Sequence, residues 1–295
     1  MGVADEIRNI SVPLSNILFA MDFTPYSLRA YPFAADIALR YGGKILVAHI
    51  VPSSDGDGMP SAERMRLDKL LEAAVEGSLK DSLGVLRKVP HEVLIDHGDI
   101  CAKLLATADK CKIDLVVIGT HGWRGFKKVL KGSTAEIISC LATRPVLTAG
   151  PRVSQLVGFR RILYTTDLLH EAAPALPYAL SLADEYEAEL LFLHVNNDCS
   201  REPPVEASSR TFEFLCKHVS EYSAMRIPDR SNVIVDFGPT ADLILEHAAK
   251  RDVELIVMEL QHHDGLKARI GAHLPGSTAY EVASQALCPV LTVPL

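Results

Sequence analysis

The stretch Leu115-Val116-Val117-Ile118-Gly119-Thr120-His121-Gly122 decides how the rest of the chain is read. Its first four residues form an uninterrupted apolar run, as in a strand buried on both faces of a parallel sheet. The run breaks at Gly119 and Gly122 into a basic loop with Arg124, Lys127, Lys128 and Lys131. Gly132-Ser133-Thr134-Ala135-Glu136 then opens a helix, with Ser133 placed as N-cap and Glu136 at the third helical position of a capping box. A strand, a glycine loop and a helix N-terminus in that order can form an anion cradle. Glycine lets the backbone approach a phosphate, and the unpaired N–H groups of the first turn point at it. The spacing Gly119-x2-Gly122-x9-Gly132-Ser133 is not a P-loop, because no Lys follows the last glycine. Nor is it the dinucleotide fingerprint, which has a different spacing and follows the first strand.

Working outward, strands and helices alternate. Asn16 to Met21 reads as a first strand ending at Asp22, and Pro25 to Tyr41 as a helix with Ala30, Phe33, Ala34, Ile37 and Ala38 on one face. Lys44 to Val51 is a second strand, and Ala62 to Lys88 a long charged helix. His91 to Ile95 is a third strand, Ile100 to Cys111 a helix, and Asp114 to Ile118 the fourth strand. A helix over Ser133 to Thr143 and a short strand over Pro145 to Ala149 complete the unit. Such alternation indicates an α/β fold with a parallel sheet covered on both faces.

The unit then starts again. A shift of 145 residues matches Ile17 to Ile162, Asp22 to Asp167, Tyr41 to Tyr186 and His49 to His194. A shift of 140 matches Asp96 and Gly98 to Asp236 and Gly238, and Leu115 and Val117 to Leu255 and Val257. A shift of 144 matches Gly132-Ser133-Thr134-Ala135 to Gly276-Ser277-Thr278-Ala279, and Pro145 to Thr148 to Pro289 to Thr292. The chain is a tandem duplication, with domains expected over 1–150 and 159–295. Its 295 residues suffice for two cores.

Composition narrows the function classes. A net charge of -7 argues against a general nucleic-acid binder, and no apolar run approaches the length of a membrane span. The N-terminus has neither signal-peptide nor myristoylation character, which predicts a cytoplasmic protein. Six cysteines without CxxC spacing predict reduced, mostly buried thiols. Ser53 to Gly58 lacks the spacing of a calcium loop, and His262, His263, Asp264 and His273 lack zinc spacing, so no metal site is expected.

These residues resemble the universal stress protein family in tandem form, and specifically its nucleotide-binding branch in the first domain. The resemblance covers nearly the whole chain. It implies a five-stranded parallel sheet in order 3-2-1-4-5 in each domain, with helices on both faces. It implies ATP, with or without Mg2+, or another adenine nucleotide as ligand. Asp22 would lie near adenine and ribose, and Ile50 at adenine through its backbone. Gly119, Gly122 and Gly132 would form the glycine loop, with Ser133 and Thr134 at the outer phosphates. The family's association through its last strand implies a pseudo-dimer of the two domains within one chain, with a homodimer of chains as a further level. Asp22 is equally suited to capping the turn Asp22-Phe23-Thr24-Pro25.

The second domain departs from the motif. Glu259 and His262 align with Gly119 and Gly122, and the loop from Glu259 to Gly276 is longer by four residues, since 276 − 259 exceeds 132 − 119 by that number. Like charges about 4 Å apart repel by about 4 kcal/mol at an effective dielectric near 20. One hydrogen bond to a phosphate, about 1.5–3 kcal/mol, does not offset that. A weak or empty second site is expected, unless the loop turns Glu259 away. The favoured role is an ATP-binding regulatory or stress-response protein whose nucleotide changes a surface read by a protein partner. Two alternatives stand beside it. One is a slow ATPase or adenylyl-transferring enzyme, although no residue that would activate a nucleophile is recognisable. The other is a nucleotide-independent interaction module acting through the helices Ala62 to Lys88 and Ala207 to Met225.

Overall fold

The computed structural model describes residues 12–52, 60–82, 89–120, 134–154, 158–168, 173–197, 203–222, 226–260 and 278–295. In the first half the elements are β1 (Asn16–Ala20), α1 (Pro25–Arg40), β2 (Lys44–Val51), α2 (Ser61–Ser82), β3 (His91–His97), α3 (Ile100–Lys110), β4 (Leu115–Gly119), α4 (Thr134–Leu141) and β5 (Val146–Ala149). The second half repeats them as β6 (Arg161–Thr166), α5 (Leu176–Glu185), β7 (Glu189–Asn196), α6 (Pro204–Ser220), β8 (Val233–Phe237), α7 (Thr240–Lys250), β9 (Leu255–Leu260), α8 (Thr278–Gln285) and β10 (Val290–Pro294). The strands are the β-branched runs of the sequence, and polar side chains cap two of the first-half helices. Thr24 caps α1 by accepting from the Ser27 N–H, with Pro25 in the first turn, and Asp99 caps α3 by accepting from the Ala102 N–H.

Each half carries the expected strand order, and the two halves fuse. One ten-stranded sheet runs β3-β2-β1-β4-β5-β10-β9-β6-β7-β8. It is parallel within each half and antiparallel only where β5 meets β10. At that seam Leu147 faces Leu291, its own counterpart in the repeat. The Thr148 hydroxyl donates to the Val290 carbonyl and the Thr292 hydroxyl to the Val146 carbonyl, both at 3.2 Å. These are the same contact made twice, the mark of a two-fold interface, here inside one chain.

The two faces of the sheet are organised differently. On one face a single core joins both halves, from Phe19, Phe33 and Val75 to Tyr164, Leu180 and Leu215. There α1 and α5 meet through another reciprocal pair. The Tyr186 hydroxyl donates to Asp36 at 2.7 Å, and the Tyr41 and Ser181 hydroxyls lie 3.0 Å apart. The Arg40 guanidinium sits 4.1 Å from the centre of the Tyr186 ring. On the other face each half keeps a separate core, beneath α3 and α4 and beneath α7 and α8.

One expectation needs adjusting, and another lies partly outside the described residues. The long helix is described only to Ser82, and residues 83–88 lie outside the described residues. Of five described cysteines, all free, only Cys288 is buried; Cys111 is exposed and Cys101, Cys140 and Cys216 are half-buried. These four sit on helices or just after them, where one side of every turn faces water. Among the described residues no helix is long and apolar enough to cross a membrane.

Candidate functional site

In an open parallel sheet the strand ends beside the order reversal leave a crevice, here between β1, β2 and β4. Backbone and ring bonds fix that edge. Met21 N–H donates to the Ala48 carbonyl at 2.9 Å, and His49 Nδ1 lies 2.8 Å from the Met21 carbonyl oxygen. His194 Nδ1 repeats this contact with the Thr166 carbonyl at 2.9 Å, so both histidines tie strand ends together.

The crevice is a cleft of about 630 Å³ of empty space, its open mouth included. Asp22, Ile50, Gly119 and Thr134 all line it, although they come from four separate parts of the chain. The remaining predicted residues, Gly122, Gly132 and Ser133, lie outside the described residues, as do Gly276, Ser277 and the cluster His262, His263, Asp264 and His273. Among the described residues no group of His, Cys, Asp and Glu could hold a metal ion.

Asp22 is exposed at the mouth. Its Oδ1 accepts from the Thr24 N–H at 2.9 Å and from the Thr24 hydroxyl at 2.6 Å. The turn-capping role therefore exists, and it presents the carboxylate at the rim of the cleft rather than burying it. The next residue, Phe23, holds φ at 60°, and Leu168 repeats that value after Asp167. Left-handed backbone at a bulky residue is costly and persists only where the surroundings impose it.

Gly119 has a steric reason. A Cβ built there would lie 2.3 Å from the Tyr26 carbonyl oxygen and 2.7 Å from the Ser27 nitrogen. Only glycine lets the first turn of α1 lie against the end of β4. Thr134 opens α4 on the opposite wall. It also hydrogen-bonds the Cys101 side chain, whose thiol is nonetheless pushed up by burial and by Asp99. Burial and Glu136 likewise push the Cys140 thiol up to about 11, so both stay protonated and neither is an activated nucleophile.

Thr120, one residue past β4, lines the cleft and is buried, and among the described residues its hydroxyl has no hydrogen-bond partner. A buried polar atom left without a partner is uncommon and is usually explained by a missing water or ligand. A helix N-terminus at Thr134 and a Thr120 hydroxyl without a partner among the described residues fit a polar ligand. Sequence reasoning missed Thr120 because a Thr after a strand is common. The signal was its alignment with Leu260, which has no hydroxyl to satisfy.

The second half builds a different strand end. Glu259 accepts from the Tyr164 hydroxyl at 3.0 Å. Tyr164 is fully buried, and burial first, then the Glu259 charge, hold its hydroxyl well above the usual range. The helix also changes. α5 begins at Leu176, the counterpart of Tyr31, whereas α1 begins six residues earlier in the repeat frame, at Pro25. Pro174 favours the later start, although α1 accommodates Pro32 in its own interior. In a helix begun at the earlier position it would fall in the interior, where it has no N–H to donate and disfavours helical backbone at Ala173. Ala173 instead takes φ 37°.

Residues 13–149 and 158–294 each match the universal stress protein family. Universal stress protein A homolog 1 of Coxiella burnetii is 31% identical over 138 residues, covering 45% of this chain and 93% of that protein. A universal stress protein of Methanocaldococcus jannaschii is 30% identical over 148 residues, covering 48% and 85%. The crystal structure of a universal stress protein from Archaeoglobus fulgidus DSM 4304 shares the fold over both halves, with a TM-score of 0.74 at 20% identity, covering 97% of this chain and 98% of that one. With both repeats matched over almost their whole length, the chain belongs to the universal stress protein family.

Proposed function

We propose that the protein is a cytoplasmic, ATP-binding regulator with one competent nucleotide site, in the half spanning 1–150, and a degenerate one in the half spanning 159–295. The observation that carries the reading is the single cleft that gathers Asp22, Ile50, Gly119 and Thr134 at the carboxyl ends of β1, β2 and β4. Asp22 at the mouth accepts hydrogen bonds and suits the ribose hydroxyls. The Ile50 backbone borders the base. The bare backbone at Gly119 and the start of α4 at Thr134 take the phosphates, with Gly122, Gly132 and Ser133 supplied by the connecting sequence. Mg2+, where present, is carried by the phosphates themselves. No turnover is needed: nucleotide that binds one state of this edge more tightly shifts the population of a surface that a partner reads.

The test is nucleotide content and affinity. Protein purified without added ATP is denatured and the released nucleotide is identified by chromatography, and ATP binding is followed by calorimetry. Bound or titratable adenine nucleotide at one per chain is expected, with Gly122→Val abolishing it. No released nucleotide and no binding at millimolar ATP would sink the proposal. Two sites per chain would overturn the assignment of the second half.

A further inference from the structure

The cleft owes its depth to two alanines. Ala20 on β1 and Ala48 on β2 are register partners, and Ala20 also pairs with Ile118 on β4. All three face α3 and α4 and line the cleft. Neighbouring strands lie about 4.8 Å apart, so two methyl groups side by side leave a shallow dent about two strands wide. Ile100 and Leu104 of α3 bound it from above. A dent with an apolar floor and apolar walls suits a flat ring more than a chain of phosphates.

The repeat supplies the natural comparison. In the second half the same row reads Leu193, Thr165 and Met258, again register partners. All three are buried, and Leu193 and Met258 belong to the core beneath α7 and α8. Where the first half has two methyls, the second has an isobutyl group and a β-branched Thr, filling the level that Ala48 and Ala20 leave low. The second half thus differs at two independent places, the Glu259 strand end and the filled floor.

We propose that Ala20 and Ala48 are the specificity-determining floor of the cleft, holding a planar aromatic base such as a purine, and that Leu193 and Thr165 close the same place in the second half. This rests on the nucleotide reading above, and the experiment separates the two. Ala48→Leu and Ala20→Thr, each importing its second-half counterpart, are compared with wild type for binding of ATP, of adenosine and of inorganic tripolyphosphate. Thermal unfolding checks that each variant is folded. Ala48→Leu is expected to lose at least about thirty-fold in affinity for ATP and for adenosine while tripolyphosphate binding stays within about two-fold. Ala20→Thr, which adds fewer atoms, should lose about five-fold and serves if the Leu variant does not fold. Wild type that binds no ATP removes the nucleotide reading itself. Wild type that binds ATP, with folded variants keeping adenosine affinity or losing tripolyphosphate equally, overturns the floor assignment alone.

Discussion

The two halves repeat each other even in their strained backbone, yet they part company at the ends of their central strands. Phe23 and Leu168 share φ 60°, Lys112 and Asp252 sit at 51° and 50°, and Gly98 and Gly238 at 135° and 148°. Against that constancy, Gly119 abuts the first turn of α1, whereas Glu259 stands opposite a helix that starts six residues later. The strand end and the helix start both differ between the halves, and in the first the backbone of the opening turn of α1 occupies the space a Cβ at Gly119 would need. The second half departs from the first at several places together, Glu259 at the strand end, Leu193 and Thr165 in the floor row and the later start of α5, while the sheet beneath is untouched.

If the seam is truly two-fold, breaking it from either side should cost the same. Leu147→Asp and Leu291→Asp are each expected to destabilise the chain by at least about 4 kcal/mol, since both bury an unpaired charge in the sheet. Chemical denaturation measures this, and a large difference between the two would show that the seam is asymmetric.

The cleft should behave in the opposite, one-sided way. Gly119→Glu imports the second-half residue and forces the start of α1 to move. ATP affinity should fall about a hundred-fold or more, roughly 3 kcal/mol. Calorimetry that finds unchanged affinity would mean this strand end is not near the phosphates.

A smaller effect probes the second half. Tyr164→Phe removes the donor to Glu259 and is expected to cost about 1–2 kcal/mol in urea unfolding, with no change in nucleotide affinity. A shift in ATP binding would connect the second half to the site.

The smallest expected effect concerns Asp236, the counterpart of Asp96. The hydrogen bond from His247, then the Phe237 N–H, hold its carboxyl below the ordinary value. For Asp96, burial pulls the other way but the His97 N–H and Lys103 outweigh it. A lowered carboxyl contributes stability above the ordinary Asp range, lost as pH falls below it through the folded value. Both side chains are partly exposed, so Asp236→Asn should cost under about 1 kcal/mol near pH 6. It should also flatten the acid limb of the stability curve. A loss that persists undiminished at pH 2 would assign the residue a purely structural role.

Much of this was legible in the residues. The run Leu115 to Ile118 and the shifts of 145, 140 and 144 carried the strands, their order of succession and the duplication, because hydrophobic period and repeat spacing are local properties. The same alignment paired Gly119 with Glu259. It did not show that Gly119 is required by Tyr26 and Ser27, nor that Ala20 and Ala48 lie side by side, since 28 residues separate the two alanines in the chain and only the β1–β2 register joins them. The partial burial of the cysteines was missed for a related reason: a pattern of apolar neighbours does not say which side of a helix meets water.

By itself, then, the sequence determined two α/β units, their family and one intact glycine motif, through patterns that each short segment carries on its own. The tertiary structure decided that the units share one sheet and one of its core faces, with Leu147 against Leu291. It also decided that four distant residues line one cleft and that Glu259 turns to Tyr164. Those outcomes depend on register and close approach between segments far apart in the chain, and such contacts exist only once the strands have paired.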